Sequence, residues 1–154
     1  MDDLVALAER IARAAHAGQT DKAGMPYAEH PARVAARVAD DPDAAAAAWL
    51  HDVLEDTSMT AEDLAAHGIP ERVVTAVRAL TRRDDQTPEK YYAAVAADAL
   101  ARRVKHADLA DNSDPRRLAV LEADDPATAA RLRAKYANSA AAWAYLARLS
   151  GDEA

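Results

Sequence analysis

The chain has 154 residues, of which 51% are hydrophobic and 29% charged, and its formal net charge is −7. A chain of this length forms one domain with a substantial core. Its acidic balance argues against a nucleic-acid partner, because nucleic-acid-binding proteins usually present a basic face. The chain contains no cysteine, so disulfides and thiolate metal sites are excluded, and any metal must be held by histidines and carboxylates.

The N-terminal segment does not have the pattern of a secretory signal. The stretch "MDDLVALAERIARAAH" is acidic at its start and amphipathic, whereas a signal peptide has a basic region followed by an apolar one. No apolar run in the chain is long enough to cross a bilayer. We therefore expect a soluble cytoplasmic protein with no membrane partner.

Helical periodicity extends along almost the whole chain, and no segment shows the alternation that is typical of strands. We therefore predict an all-α fold and a single domain over residues 1–154. The predicted helices, in chain order, cover about residues 2–17, 30–39, 42–55, 60–68, 70–83, 87–98, 99–112, 114–121 and 125–149.

Two of these helices carry informative local patterns. Thr60 is predicted to be an N-cap with Asp63 in the capping-box position, and Gly68 is predicted to end that helix. The last helix carries an apolar stripe that is suited to packing. The stripe consists of Leu132, Tyr136, Trp143 and Leu146.

Ionisable side chains are concentrated in "HDVLEDT", residues 51–57, directly after the apolar run "AAAAAWL". In a continuous helix with about 100° per residue, four of them share one broad face, opposite two leucines. The four are His51, Asp52, Glu55 and Asp56. Carboxylates near the C-terminal end of a helix oppose its macrodipole, and a bound cation would offset that cost. The alternative interpretation is a solvated helix end with incidental acids.

A second candidate segment is "VKHADLADN", residues 104–112. Asp108 and Asn112 are four residues apart, and Lys105 is three residues before Asp108. One helix face therefore presents a cation, a carboxylate and an amide. His106 lies about 160° away from Asp108 around the same helix, so we interpret it as structural.

The third candidate is His30 in "YAEHP". The proline that follows it favours an extended backbone at the entrance to a helix, which would fix the direction of the imidazole. His16 and His67 lie near predicted helix ends, where an imidazolium can interact with terminal carbonyls. We interpret both as structural.

The order of His30, then His51 and Asp52, then Asp108 resembles the HD-domain metal phosphohydrolases. Three segments narrow the resemblance to the hydrolase domain of RelA/SpoT-type proteins, and more closely to the stand-alone small alarmone hydrolases. The segments are "AHAGQTDKAGMPYAEHPARVA", "AAAAAWLHDVLEDT" and "VKHADLADN". The resemblance implies a helical bundle around one metal site, with a motif-bearing core at about residues 16–117 and a C-terminal packing helix at about 125–149.

The resemblance also implies roles for individual residues. Glu55 and Asp56 match the family's catalytic pair, and Asn112 matches a residue that contacts the nucleotide sugar. Residues that match the family's ligands for one Mn²⁺ are His30, His51, Asp52 and Asp108. In the family, the reaction removes the 3′-pyrophosphate from guanosine tetra- or pentaphosphate, and a related branch removes a phosphate from NADPH.

The residue types agree with this chemistry. Two imidazoles and two carboxylates form a mixed nitrogen and oxygen site that suits Mn²⁺ or another divalent first-row ion. Such an ion acidifies a bound water and polarises a phosphate oxygen. Glu55 and Asp56 are suited to proton transfer, and the residues alone leave open which is acid and which is base. Candidate phosphate contacts are Lys22, Arg82, Arg83, Lys105 and Arg116, and Tyr91 or Tyr92 is a candidate pocket residue.

One position departs from the family pattern. Alarmone hydrolases typically carry Arg-Lys after "GQx", and that Arg helps to hold guanine, whereas here the pair is Asp21-Lys22. A carboxylate cannot stack or donate as a guanidinium does. Asp21 therefore either accepts from guanine N–H groups or does not read the base.

The expected function is a metal-dependent hydrolase of a phosphorylated nucleotide, with the guanosine alarmone first among the substrates. The first alternative is a phosphatase or pyrophosphatase that acts on another nucleotide, including NADPH. The second is a non-catalytic, metal-stabilised binding module, against which the Glu55–Asp56 pair argues. We do not expect alarmone synthesis.

Overall fold

A computed structural model describes residues 3–21 and 24–149, and within them the expected all-α fold is confirmed. These residues form ten helices and one isolated β-bridge between Thr20 and Pro26. None of the described helices combines the length and the apolar character needed to cross a bilayer. The helices are α1 Asp3–Ala15, α2 Glu29–Arg37, α3 Pro42–Leu50, α4 Val53–Asp56, α5 Ala61–Ala66, α6 Glu71–Leu80, α7 Pro88–Ala97, α8 Ala99–Asn112, α9 Pro115–Asp124 and α10 Pro126–Leu149.

Helix α3 lies at the centre of the packing and contacts α1, α2, α6 and α8. Every residue from Ala44 to Leu50 is buried, and the alanine side chains allow neighbouring helices to approach closely. Asp41 caps the helix, since its carboxylate accepts from the backbone N–H groups of Asp43 and Ala44, and Pro42 occupies the first turn. The chain has no phenylalanine, so much of the core's bulk comes from its buried Trp and Tyr side chains, Trp49, Tyr91, Tyr92 and Trp143.

The predicted continuous helix over residues 42–55 is wrong, because α3 ends at Leu50 and a separate turn, α4, begins at Val53. The imidazole Nδ1 of His51 donates to the carbonyl of Ala48 over 2.6 Å, and the backbone N–H of His51 reaches the same oxygen over 3.4 Å. In a continuous α-helix this carbonyl would accept from the N–H of Asp52. The break leaves His51 buried, while Glu55 and Asp56 lie on the surface.

Helix α5 ends as its sequence predicts. The Thr60 hydroxyl accepts from the N–H of Asp63 over 3.1 Å, and the Asp63 carboxylate accepts from the N–H of Thr60 over 2.9 Å. Gly68 follows the helix with φ of +98°, a conformation that favours glycine. The predicted capping box and stop signal are therefore confirmed.

Residues of the stripe predicted for the last helix pack in two separate apolar clusters. Leu132 packs with α9 in a small apolar cluster against which Tyr136 rests, whereas Trp143 is buried in the main core. The side chain of Leu146 lies outside the described part of the structure. The cluster between α9 and α10 consists of Leu118, Leu121, Ala129 and Leu132.

The packing of α3 predicts a strong size limit at its alanines. Ala46 is fully buried, so Ala46→Leu should overpack the centre of the protein and lower the free energy of unfolding by about 1–3 kcal/mol. Ala36 in α2 is exposed, and Ala36→Leu should change it by less than about 0.5 kcal/mol. Urea denaturation measures both, and equal stability of the two variants would contradict close packing around α3.

Candidate active site

Three chain segments bring the four predicted metal ligands together. His30 lies in the first turn of α2, His51 and Asp52 lie in the break between α3 and α4, and Asp108 lies in α8. The Nε2 atom of His30 is 2.9 Å from Oδ1 of Asp108 and 3.9 Å from Oδ2 of Asp52. The Nε2 atom of His51 is 3.1 Å from the Asp52 oxygen and 3.4 Å from the Asp108 oxygen.

The donor set around His51 fits a cation. Because the Ala48 carbonyl can only accept, Nδ1 of His51 carries a proton, and the ring directs Nε2 at two carboxylates. This Nε2 atom is buried and makes no hydrogen bond of good geometry. Ligand atoms of His30, His51 and Asp52 lie within 4.8 Å of one another. A divalent ion between these groups would give the orphaned nitrogen a partner.

The electrostatics of the cluster also favour positive charge between the two imidazoles and the carboxylates of Asp52 and Asp108. Burial lowers the pKa of His51, but Asp52 and Asp108 outweigh it and hold this pKa well above its usual range. Burial likewise lowers the pKa of His30, and its bonds to Asp108 and Asp111 outweigh that effect. Burial raises the pKa of Asp108, but the two imidazoles hold it well below its usual range. The carboxylates therefore stabilise cationic charge between the four groups.

Glu55 and Asp56 lie at the surface end of the same cluster. Carboxylate oxygens of Asp52, Glu55 and Asp56 lie within 4.8 Å of one another. Oε1 of Glu55 accepts from the backbone N–H of Arg82 over 2.9 Å, which holds this side chain in place. The pKa of Glu55 is raised, first by desolvation and then by the neighbouring carboxylates, and that of Asp56 is raised by desolvation and by Asp52.

The hydroxyl of Tyr27 links Asp52, one of the four predicted ligands, to Asp56 of the paired carboxylates. The sequence did not predict this role. The hydroxyl donates to Oδ2 of Asp52 over 2.6 Å and lies 3.3 Å from Oδ2 of Asp56. Desolvation and the charge of Asp52 raise the pKa of Tyr27, so the hydroxyl keeps its proton. Tyr27 is three residues before His30, and this spacing could have indicated a shared direction.

Cations and aromatic rings form the wall next to Glu55. Lys105 is buried, and its ammonium donates to Oδ2 of Asp108 over 3.2 Å. Burial lowers the pKa of Lys105, but Asp108 outweighs it, so the ammonium stays charged. The Arg82 guanidinium lies 4.6 Å from the ring centroid of Tyr91, and its Nη2 donates to the Tyr92 hydroxyl over 3.3 Å. This wall can receive an anion.

With the exception of Tyr92, the side chains of the cluster, the paired carboxylates and this wall line one cleft of about 940 Å³. Helices α9 and α10 contribute apolar side chains and three further cations to the lining of this cleft. The apolar residues are Leu118, Val120, Leu121, Leu132 and Tyr136, and the cations are Arg116, Arg117 and Lys135. The cleft is therefore large enough for a nucleotide, with apolar and cationic surfaces on the same wall.

The predicted substrate contacts are distributed unevenly around this cleft. Asn112 lines it, and its amide donates to Oδ1 of Asp108 over 3.1 Å. Asp21 also lines it, but Oδ1 accepts from the N–H of Met25 over 3.0 Å and Oδ2 lies 3.9 Å from Nη2 of Arg117. Arg82, Lys105 and Arg116 line the cleft, whereas Arg83 is exposed outside its lining and Lys22 lies outside the described residues.

The other three histidines are not among the four predicted ligands, although the ring of His16 packs against Tyr27 with centroids 4.9 Å apart. His16 is buried, and its Nδ1 is 2.9 Å from Oε1 of Gln19, whose amide donates to the backbone carbonyl of Asp56. His67 is exposed at the C-terminal end of α5. His106 is exposed and lies against the indole of Trp143. A metal role is not indicated by these positions.

Comparisons with known proteins confirm the resemblance drawn from the motifs. The chain is 50% identical over 60 residues to a guanosine-3′,5′-bis(diphosphate) 3′-pyrophosphohydrolase of Vibrio cholerae. It is 47% identical over 57 residues to the bifunctional (p)ppGpp synthase/hydrolase SpoT of Escherichia coli. These stretches cover 37% and 35% of this chain, respectively, and 8% of each relative. No protein-family model matches the chain.

The fold is similar over its whole length to a solved structure of a metazoan ortholog of SpoT that hydrolyzes ppGpp and plays a role in starvation responses. The TM-score is 0.66, and the match covers 99% of this chain and 98% of the other, with 23% identity. At this identity the likeness establishes a shared all-α fold.

The geometry of the cluster predicts that a metal stabilises the folded protein. At a free Mn²⁺ concentration of about 100 times Kd, the free energy of unfolding should rise by about 2.7 kcal/mol. Asp108→Asn should remove most of this gain, because Asp108 faces both imidazoles. Glu122→Gln, at an exposed ion pair with Arg133, should keep it. Urea denaturation with and without Mn²⁺ measures the gain, and an undiminished gain in Asp108→Asn would contradict the site.

Proposed function

We propose that this protein is a metal-dependent hydrolase of a phosphorylated nucleotide, and that residues 1–154 form one hydrolase domain. The foremost substrate is guanosine 3′,5′-bis(diphosphate), from which the enzyme would remove the 3′-pyrophosphate. The observation that carries the proposal is the paired carboxylates of Glu55 and Asp56 beside the cluster of His30, His51, Asp52 and Asp108, all of which line a nucleotide-sized cleft.

The His and Asp cluster would hold one divalent ion, for which we propose Mn²⁺. Its ligands would be His30, His51, Asp52 and Asp108, a mixed set that suits several first-row ions. When bound, the ion would supply Lewis-acid charge at a phosphate oxygen and lower the pKa of a water molecule. The orphaned Nε2 of His51 supports this assignment.

Glu55 and Asp56 would hold and transfer the protons of the reaction. Both have raised pKa values, so their proton affinity is closer to that needed for general acid–base work near neutral pH. The N–H of Arg82 positions Glu55, and the hydroxyl of Tyr27 lies against Asp56. The two acids are neighbours, so their titration belongs to the pair.

The two walls of the cleft would bind the two parts of a nucleotide. Arg82, whose backbone N–H holds Glu55, and Lys105, which pairs with Asp108, would neutralise the reacting phosphates. Asn112 would contact the sugar, and the apolar surface of α9 and α10 would receive the base. The local 50% identity to a 3′-pyrophosphohydrolase and the likeness in fold to a protein that hydrolyzes ppGpp support the guanosine alarmone as substrate.

The position of Asp21 favours a second candidate, a phosphatase or pyrophosphatase acting on another nucleotide, including NADPH. Both carboxylate oxygens of Asp21 face partners within the protein, namely the N–H of Met25 and the guanidinium of Arg117. A carboxylate engaged in this way supplies little recognition of guanine N–H groups. A non-catalytic module would not require a glutamate held by Arg82 next to the cluster.

A turnover screen with Mn²⁺ over a panel of nucleotides tests the proposed activity. Glu55→Gln should lower kcat on the best substrate by about 10²–10⁴-fold, because the amide cannot exchange a proton. Its Mn²⁺ affinity should stay close to wild type. Glu62→Gln, which changes an exposed glutamate outside the cleft, should leave kcat unchanged. Metal-loaded protein that turns over no phosphate or pyrophosphate ester would contradict the proposal.

The contacts of Asp21 predict that it acts as a loop anchor. Asp21→Asn removes the charge that faces Arg117 but can still accept from Met25. We therefore expect kcat/KM to fall by similar factors for guanine and adenine nucleotides, with unchanged metal binding. A loss that is at least about tenfold larger for guanine would show that Asp21 reads the base, since unpaired buried polar groups discriminate strongly between bases.

A further inference from the structure

Asp111 is a buried carboxylate that has no role in the reaction proposed above. It is the most deeply buried acid of the described residues, with 0% of its surface exposed. It lies on α8 three residues after Asp108, so the two carboxylates share one side of the helix. Burial of a carboxylate is costly unless it is paired and hydrogen-bonded, so its partners are informative.

Three donors converge on this carboxylate. Oδ2 accepts from Nδ1 of His30 over 2.7 Å and from Nη1 of Arg117 over 3.1 Å, and Oδ1 accepts from Nε of Arg33 over 2.9 Å. Nη1 of Arg117 also donates to the backbone carbonyl of Asp111 over 3.0 Å. Asp111 is thus fixed from two sides by arginines and contacts His30 from the third.

His30 has carboxylates at both ring nitrogens, with Asp111 at Nδ1 and Asp108 at Nε2. A neutral imidazole has one proton, which can lie on either nitrogen. Only the tautomer with its proton on Nδ1 leaves Nε2 able to bind a metal. For His51 the Ala48 carbonyl fixes this choice, whereas His30 has no such carbonyl partner among its hydrogen bonds within the described residues.

We propose that Asp111 is a positioning residue that holds the proton of His30 on Nδ1, so that the Nε2 lone pair faces the metal position. Arg117, which donates to both Oδ2 and the backbone carbonyl of Asp111, holds the carboxylate in the orientation that this role requires. This inference rests on the proposed metal site. Asp111 would then control metal affinity without binding the metal itself. Hydrogen-bond partners of metal-bound histidines fix the orientation of the ring and raise its basicity.

The competing explanation is that Asp111 only ties α2 to α8 through its ion pair with Arg33. Two variants separate these explanations. Asp111→Leu removes the acceptor of His30 together with the ion pairs to Arg33 and Arg117, whose side chains are 34% and 33% exposed, respectively, and can be rehydrated. Arg33→Met removes the ion pair between Arg33 and Asp111 but leaves the hydrogen bond between Asp111 and His30 in place.

The first readout is the Mn²⁺ dissociation constant, measured by calorimetry on the full chain. We expect Asp111→Leu to weaken Mn²⁺ binding by about 10–100-fold and Arg33→Met to change it by less than about threefold. Equal weakening in the two variants would overturn the proposal, and so would wild-type affinity in Asp111→Leu. If wild-type protein binds no Mn²⁺, the proposed metal site itself fails, which is a distinct result.

The second readout is the tautomer of His30 in metal-free protein, from ¹⁵N spectra of labelled histidine at alkaline pH. Wild type and Arg33→Met should show the Nδ1–H form, and Asp111→Leu should show a substantial fraction of the Nε2–H form. An unchanged tautomer in Asp111→Leu would overturn the proposal. If Asp111→Leu does not fold, the smaller Asp111→Ala decides, because it also removes the acceptor of His30, and wild-type Mn²⁺ affinity and tautomer in that variant would overturn the proposal.

Discussion

The attraction between two buried imidazoles and the carboxylates of Asp52 and Asp108 is the interaction on which the site depends. The Nε2 atoms of His30 and His51 both face Oδ1 of Asp108, at 2.9 and 3.4 Å. A carboxylate cannot donate, so these nitrogens need either protons of their own or a cation between them and the carboxylates. A divalent ion would meet this need and would supply Lewis acidity in the cleft. The rest of the fold holds four side chains from three segments in this arrangement.

Helix α3 positions His51 and Asp52, which directly follow its last residue. Its alanines allow α1, α2, α6 and α8 to pack around it, so its C-terminal end meets the helices that carry His30 and Asp108. The helix then breaks, because His51 bonds to the Ala48 carbonyl with its side chain. Over six residues, the break turns His51 and Asp52 inward and leaves Glu55 and Asp56 exposed in the lining of the cleft.

Several features could be predicted from the sequence because they depend on local physics. Helical periodicity indicated the all-α fold, and the capping pattern from Thr60 to Gly68 fixed the ends of α5. The proposed metal-ligand set depended on a resemblance across three segments, since no single spacing in the chain brings residues 30, 51 and 108 together. The continuous helix through His51 was predicted wrongly, because periodicity does not reveal a side chain that competes for a backbone carbonyl.

The missed residues share one physical character, which is that their partners are distant in sequence. Tyr27 contacts Asp52 and Asp56, and Asp111 contacts His30 across 81 positions. Periodicity places Asp111 beside Asp108, but only the packing of α2 against α8 reveals what it bonds. For Asp21, the sequence showed the departure from the family pattern, but only the structure shows the contact with Arg117.

The most direct test of the account is the anomalous scattering of Mn²⁺ in crystals of metal-loaded protein. The account predicts one strong peak within bonding distance of the Nε2 atoms of His30 and His51 and of carboxylate oxygens of Asp52 and Asp108. Glu55 and Asp56 should lie beside the peak without bonding to it. A strong peak at another position, or none at this cluster under saturating Mn²⁺, would contradict the account.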